Sequence, residues 1–479
     1  MPKKLLPSPK KIVRPTGKSP DEPEEDVLEG PPEVKNKEGK EPSVPPPAPK
    51  GKRVPELLRG FRDILPEEQP YWDMVRDAVQ DMATAYGFER IDVPILEREE
   101  LFLRTVGKQT DIVEKEMYAF EDRGEERVVL RPEMTASIVR AYVSHGMLNQ
   151  PQPVKLFCMG PIFRYDRPQA GRYRQHHQVS IEVIGSLEPV LDAQLMVMAF
   201  HLLKGLGIDT VMRLNSLGTP ESRQRYKTEL TAYYRSKRQH ICEDCKRRLL
   251  KNPLRLLDCK AEACQPIKLE APQILDWLDE DSKNHFMRVL EFLDEAAVPY
   301  TLDSRLVRGL DYYTHTVFEI WAASEDGERT QSALGGGGRY DELVETLGGR
   351  EGTPGCGIGI GIERVILAMR ELQVHPPQKR PEVFFAQLGD AARRQGLRLF
   401  EECRQAGIAM REGFGRNALK SQLELANKYG VPFTLILGQK EVLDGTIIVR
   451  DMESGAQEIA DVAKIIPLLK RKIETLPRA

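Results

Sequence analysis

No run of about eighteen consecutive apolar residues occurs in these 479 residues, so no helical membrane span is expected. The first 54 residues contain no aromatic residue. They also lack an apolar stretch that could act as a signal peptide, and their many acids argue against a transit peptide. Cysteine is scarce and odd in number, at seven. In a long chain without a secretion signal, that favours a reducing cytoplasm over a disulfide framework. Net charge is also small, at −3, which argues against a nucleic-acid coat protein. It leaves room for local basic patches, because binding depends on where charges sit. Apolar residues make up 40% and charged residues 30%. This is the composition of a soluble chain, long enough for about three domains.

Proline is unevenly spread. Residues 1–54 hold 13 of the 35, with many Lys and Glu, and cannot bury enough apolar surface to offset their ordering entropy. They read as a disordered tail, with a polyproline-like PSVPPPAP at 42–49. From about residue 55 the pattern becomes that of a folded chain. An amphipathic helix with acids in its first turn is expected over 66–88, and a strand carrying Pro94 over 90–97, suited to an edge or an interface. A strand and a helix from Pro132 are expected over 127–146, two strands around a basic turn over 153–186, and a helix over 189–206. A mostly helical insertion follows at about 215–300, then further strands to 374. Mixed helices and hairpin strands without a βαβ repeat predict an α+β domain with a mainly antiparallel sheet. After the HPPQKRP linker at 375–381, residues 382–479 alternate regularly between strand and helix, as in a compact α/β domain.

Several stretches could carry chemistry. FRYDRPQAGRYRQHHQ (163–178) places Arg164, Arg167, Arg172 and Arg174 around a Pro-Gln-Ala-Gly turn, and the guanidinium fork suits phosphate. In the strand that follows, alternation puts His176, Gln178, Ser180 and Glu182 on one face and Val179, Ile181 and Val183 on the other. The apolar face must be buried, so the polar one reads as the floor of a ligand cleft. GIGIGIERVILAM (357–369) is a glycine-alternating strand with one bare face. It runs into a helix with Arg364 at its start. Glu133 and Thr135 stand at a loop-to-helix junction, where an acid in a first turn is an equally good account. Cys242, Cys245, Cys259 and Cys264 form CxxC–x13–CxxxxC, a spacing that can make a tetrahedral zinc site. The alternative is free thiols in a helical insertion.

LVRGLDYYTHTVFEI (306–320) concentrates Arg308, Asp311, Tyr312 and Tyr313 ahead of an ordinary strand. In one regular strand Arg308 and Tyr313 would face opposite ways, because their separation is odd. RGLD should therefore be an irregular lead-in, bent or bulged at Gly309, with TVFEI as the strand proper.

Together these stretches resemble histidyl-tRNA synthetases, which are class II aminoacyl-tRNA synthetases. The resemblance covers residues ~55–479. It rests most specifically on RGLDYYTHTVFE (308–319) and GGRYDEL (337–343), and for the class on the motifs around Pro94, Arg164 and Arg364. It implies a class II catalytic domain over 55–374 and an anticodon-binding domain over 382–479. ATP, histidine and tRNA(His) would be the substrates, Mg2+ would accompany ATP, and the chain would form a homodimer. The resemblance also implies residue roles. Arg164, Arg172 and Arg364 would hold the ATP phosphates, and Arg308 the α-phosphate and the histidine carboxylate. Glu133, Thr135 and Gln178 would hold the amino and carboxylate ends of histidine, with Glu182, Tyr312 and Tyr313 around the imidazole. Gln169 and Arg174 would meet the tRNA acceptor end. The alternative is a non-catalytic histidine-binding paralogue that regulates histidine biosynthesis. Such paralogues usually lack the C-terminal domain and degrade the arginine set.

Overall fold

The computed structural model describes residues 55–107, 110–323, 333–377 and 380–476. The proline-rich segment 1–54 lies outside the described residues. Helix α1 (Gln69–Ala85) forms because Trp72, Val75, Val79 and Ala83 recur at helical spacing, and all four are buried. Its neighbouring acids, Glu67 and Glu68, stand just ahead of the helix rather than in its first turn. The single strand expected over 90–97 is in fact two, β1 (Glu89–Arg90) and β2 (Leu96–Arg98). Pro94 falls between them. It has no N–H for a ladder, and there the chain leaves one sheet for another. Helix α2 (Glu99–Thr105), β3 (Tyr118–Glu121) and β4 (Arg127–Leu130) follow. The order β2-β4-β3 makes a small antiparallel sheet.

Helix α3 (Thr135–Ser144) starts later than Pro132. The Glu133 carboxylate accepts the N–H groups of Thr135 and Ala136, at 2.6 and 2.8 Å, so it holds the helix start from outside. Strands β5 (Val154–Phe163) and β6 (Gln175–Ile184) flank the arginine turn, followed by α4 (Pro189–Gly205) and β7 (Thr210–Ser216). The insertion contains α5 (Pro220–Ser236), α6 (Glu243–Lys251), α7 (Gln265–Leu269) and α8 (Glu280–Glu295). Thr219 and Asp279 cap α5 and α8 by accepting from Ser222 N and Ser282 N. Then come β8 (Tyr300–Leu302), β9 (Thr314–Ala322), β10 (Gly335–Arg339), α9 (Leu343–Thr346), β11 (Gly355–Gly361) and α10 (Ile362–Glu371).

Eight of these strands form one sheet in the order β1-β5-β6-β11-β10-β9-β7-β8. It is antiparallel except at its edges, where β1 pairs β5 and β7 pairs β8 in parallel. Val179, Ile181 and Val183 of β6 join Ile358 and Ile360 of β11 in a core shared with α1, α4, α8 and α10. That burial fixes which face of β6 and β11 is left for a site.

Residues 382–476 contain β12 (Val383–Gln387), α11 (Asp390–Gln405), β13 (Met410–Glu412), α12 (Leu419–Tyr429), β14 (Phe433–Leu437), α13 (Gln439–Asp444), β15 (Thr446–Asp451), β16 (Gln457–Asp461) and α14 (Ile465–Glu474). Their sheet runs β13-β12-β14-β15-β16, parallel across the first three strands and antiparallel after. β12 and β14 are buried along their whole length, which is why they read as continuous apolar runs. The edge strand β16 is largely exposed and gave no apolar signal. Pro467 sits in the first turn of α14, where a missing N–H costs nothing.

Candidate active site

The face of β6 and β11 turned away from the helices opens on a cavity of about 840 Å3. Arg164, Arg172, Arg308 and Arg364 line it together with Glu133, Thr135, Gln178, Tyr312 and Tyr313. Nine of the twelve residues singled out for the substrates thus meet in one place, although they are spread over more than two hundred positions of sequence. Gln169, Arg174 and Glu182 do not line it. Gln169 pairs with Arg172 at the tip of the arginine turn. Arg174 is tied down at the base of that turn. Its guanidinium lies 3.6 Å from the Tyr165 ring centroid and donates to the carbonyls of Arg59 and Asp166.

Glu182 is fully buried, and its carboxylate reaches across Gly357 of the neighbouring β11, behind Thr135 and Tyr340, which line the cavity. Its carboxylate accepts from Thr135 Oγ1 at 2.8 Å and from the Tyr340 hydroxyl at 2.5 Å. Burial pushes this carboxyl up to about 8. The glycines of β11 therefore do more than leave a bare face. A methyl at 357 would overlap the Glu182 carboxylate, and one at 359 would stand 2.8 Å from Gln178 Nε2. They give room to polar side chains of the neighbouring strand. Gly336 of β10 does the same for Arg308, whose guanidinium nitrogen would lie 2.6 Å from a Cβ there.

The 306–320 segment behaves as its spacing requires. Residues 303–313 form no regular strand, and β9 begins at Thr314. Arg308 and Tyr313 thereby share the cavity, with the guanidinium 5.5 Å from the Tyr313 ring centroid. The irregularity runs further than RGLD. His315 takes a left-handed φ of 43°, and the β10–β9 register slips between Gly338 and Arg339. Arg308 donates to Glu319 at 2.9 Å, while its Nε is buried without a hydrogen-bond partner among the described residues.

The electrostatics are lopsided. Arg164 donates to the Pro132 carbonyl, and Arg364 to the carbonyls of Gly171 and Ala333. Carbonyls satisfy these donors without cancelling their charge. Burial, and then the charges of Arg172 and Arg164, pull Arg364 below its ordinary value. His176 is held down to about 3 by burial, then by Arg164 and Arg364. A neutral imidazole among under-compensated guanidiniums makes a site for a polyanion.

The match to known proteins follows this geometry. Residues 60–220 and 252–365 fit the family model of histidyl-tRNA synthetase, and 382–472 that of an anticodon binding domain. The histidine–tRNA ligase of Dehalococcoides mccartyi is 46% identical over 87% of this chain and 99% of its own. That of Pelotomaculum thermopropionicum is 44% identical over 87% and 97%. The chain belongs to the histidyl-tRNA synthetase family. The crystal structure of apo Staphylococcus aureus histidyl-tRNA synthetase superposes with a TM-score of 0.73 at 34% identity, covering 87% of this chain and all of the other.

Within this synthetase fold, three residues escaped the sequence reading. Tyr340 holds Glu182, and Glu319 holds Arg308 while also accepting from Trp321 Nε1 at 3.2 Å. Glu319 was visible as the one acid in TVFEI. Tyr340 was visible only as a member of GGRYDEL, with no role given to it, and nothing local marked Trp321.

Proposed function

We infer that the cavity activates histidine with ATP and passes it to tRNA(His). The chain is a histidine–tRNA ligase. Histidine and ATP give histidyl-adenylate and pyrophosphate, and the histidyl group then moves to the 3′ end of the tRNA. The single observation carrying this reading is the convergence of four arginines on one cavity beside a buried carboxyl–tyrosine floor.

Displacement at phosphorus needs positioning and positive charge more than a protein base. We assign Arg164, Arg172 and Arg364 to the ATP phosphates, because Arg164 and Arg364 donate to carbonyls alone and Arg172, paired with Asp166 at 3.2 Å, lines the same cavity. Arg308 is assigned to the α-phosphate and the histidine carboxylate, where its unpartnered Nε would find an acceptor. Glu133, Thr135 and Gln178 would receive the amino-acid end. Glu133 already spends two contacts on α3, so it would be both helix anchor and ammonium acceptor. Glu182, Tyr312 and Tyr313 would meet the imidazole, and a floor with two polar partners rejects isosteres that lack them by roughly 10⁴–10⁵. Gln169 at the turn tip would face the acceptor end of the tRNA, with Arg174 bracing the turn. Mg2+ takes oxygen ligands and is held largely by phosphates. The Glu319 carboxylate fits one such contact. When bound, the ion would offset phosphate charge.

Residues 55–374 would form the catalytic domain and 382–479 the anticodon-binding domain. A homodimer is favoured by Ile95, Leu96 and Phe120, large apolar residues exposed on the small sheet around Pro94. Among the described residues no helix is long and apolar enough to cross a membrane, and a cytoplasmic location suits the seven cysteines, none of them in a disulfide.

Histidine-dependent ATP–pyrophosphate exchange, run across all twenty amino acids, tests the assignment. Exchange with histidine alone is expected. Histidine binding without exchange, in pure folded protein, would mean a binding paralogue instead.

A further inference from the structure

The insertion carries a cluster that the adenylation chemistry does not use. Cys242 precedes α6 and Cys245 lies in its first turn. Cys259 follows a short helical turn over 253–256, and Cys264 closes another over 262–264. Two knuckles, each from a different stretch of chain, thus face one another. All four sulfur atoms lie within 4.8 Å of one another. Cys242 Sγ is 3.8 Å from Cys259 Sγ, and Cys245 Sγ is 3.9 Å from Cys264 Sγ. Four thiolates at a Zn–S distance of ~2.3 Å form a tetrahedron with edges of ~3.8 Å.

The two other accounts fit less well. Cysteines that merely pack as small hydrophobes have no reason to converge, and the remaining three, Cys158, Cys356 and Cys403, are buried outside this cluster. A pair of disulfides would need bonded sulfurs at about 2.05 Å, and none is bonded. The backbone N–H of Cys242 donates to Cys264 Sγ at 3.2 Å, a contact that favours a charged sulfur. Cys245, Cys259 and Cys264 are buried and Cys242 half-buried, so the site is shielded on most sides.

We propose that Cys242, Cys245, Cys259 and Cys264 bind one Zn2+ as a tetrathiolate, and that this metal holds a wall of the catalytic cavity. Cys242 and Cys259 line that cavity directly. The chain between the knuckles reaches the loops that frame the site. Arg255 donates to Asp111 at 3.0 Å, Lys251 to Glu114 at 2.9 Å, and Asn252 to Asp311 of the RGLD lead-in at 3.2 Å. These contacts come from the chain between the two knuckles, whose ends a four-ligand closed site would fix, beside the buried Leu249, Leu256 and Leu257. The first knuckle falls in residues 221–251, between the two stretches matched by the family model. Cys259 and Cys264 lie within the second stretch, and the zinc site stands independently of the adenylation reading.

The test uses full-length protein purified without chelator. Elemental analysis should find about one zinc per chain, and a mercurial titration should release it as four thiols react. Denatured, non-reduced protein should show all seven cysteines as free thiols. Zinc well below stoichiometry would overturn the proposal, as would four missing thiols, which would mean disulfides. The Cys259→Ser, Cys264→Ser double variant should lose the zinc. Zinc retained there would place the metal elsewhere. If that variant does not fold, the wild-type zinc content and mercurial release still decide the binding claim. Zinc stripped from the wild-type protein should lower its melting temperature, and added Zn2+ should restore it. An unchanged melt would refute the claim that the metal holds the wall.

Discussion

Arg339 and Arg364 stand near the ends of neighbouring strands, and their surroundings are opposite. Arg339 closes β10 with a fully buried guanidinium that donates to Asp192 at 2.8 Å, to Asp341 at 3.2 Å and to the carbonyls of Ser186 and Glu188. Burial opposes its charge, yet Asp192 and Asp341 outweigh that and hold it above its ordinary value. Arg364 follows β11, is half-buried, and donates to carbonyls alone. Arg172 and Arg164 push it the other way. A neutralised guanidinium holds the sheet and α4 together. An under-neutralised one keeps charge to offer an anion. Both residues belong to motifs of the same family resemblance, and motif membership alone does not tell them apart.

The largest effect should come from Arg339→Ala. It would leave Asp192, 1% exposed, with only the His285 ring 3.4 Å away in place of the guanidinium, a loss of ~3–5 kcal/mol in urea denaturation. Exchange per folded molecule should change little. A variant that folds normally but is inactive would break the comparison, because Arg339 would then be acting on the substrates.

Arg308 is the intermediate case, paired with Glu319 but with Nε free among the described residues. Arg308→Ala should cut adenylate formation on the order of 10²–10³-fold, as for a lost transition-state donor. Histidine affinity, read by calorimetry, should suffer less. Equal losses in both would make Arg308 a residue of uniform binding. Arg364→Ala should weaken exchange by about 10- to 100-fold through the KM for ATP, the scale of a charge-assisted hydrogen bond. Its melting temperature should hold or rise, because one of three mutually repelling cations is gone. A marked fall would put Arg364 in the same structural class as Arg339.

What the sequence made legible was local. The arginine turn, the alternation in QHHQVSIEV and the irregular RGLD lead-in are each written in a few adjacent residues, and each holds. What escaped depends on register between strands. The Glu182–Tyr340 bond spans 158 positions and the Arg339–Asp192 bond 147, so no window of sequence contains either. The glycines of β11 were legible as bare, but what fills the space comes from β6, set by the pairing of Gly357 with Glu182. Pro94 was correctly read as unsuited to a central strand. That it would divide the strand between two sheets depends on where β5 and β4 lie.

Glu182 extends the comparison to the acidic side, with the smallest expected effect per pH unit. It accepts from two hydroxyls and has no cation partner, so burial raises its carboxyl from 4.5 to about 8. In the ligand-free protein at neutral pH it is therefore protonated. Folded protein then binds this proton more tightly than unfolded protein. The stabilising contribution is complete below about pH 4.5 and is lost as pH rises towards about 8. Glu182→Gln keeps a polar side chain of similar shape but cannot titrate. Over that window the wild-type melting temperature should fall relative to the variant's by on the order of 1–3 °C per pH unit. Bound histidine should flatten the wild-type slope, because the imidazole can take the proton and leave an ion pair in place of a lone buried carboxylate. Parallel curves for the two ligand-free proteins would mean that Glu182 is already ionised, and that the cavity floor, like Arg339, is neutralised by a partner.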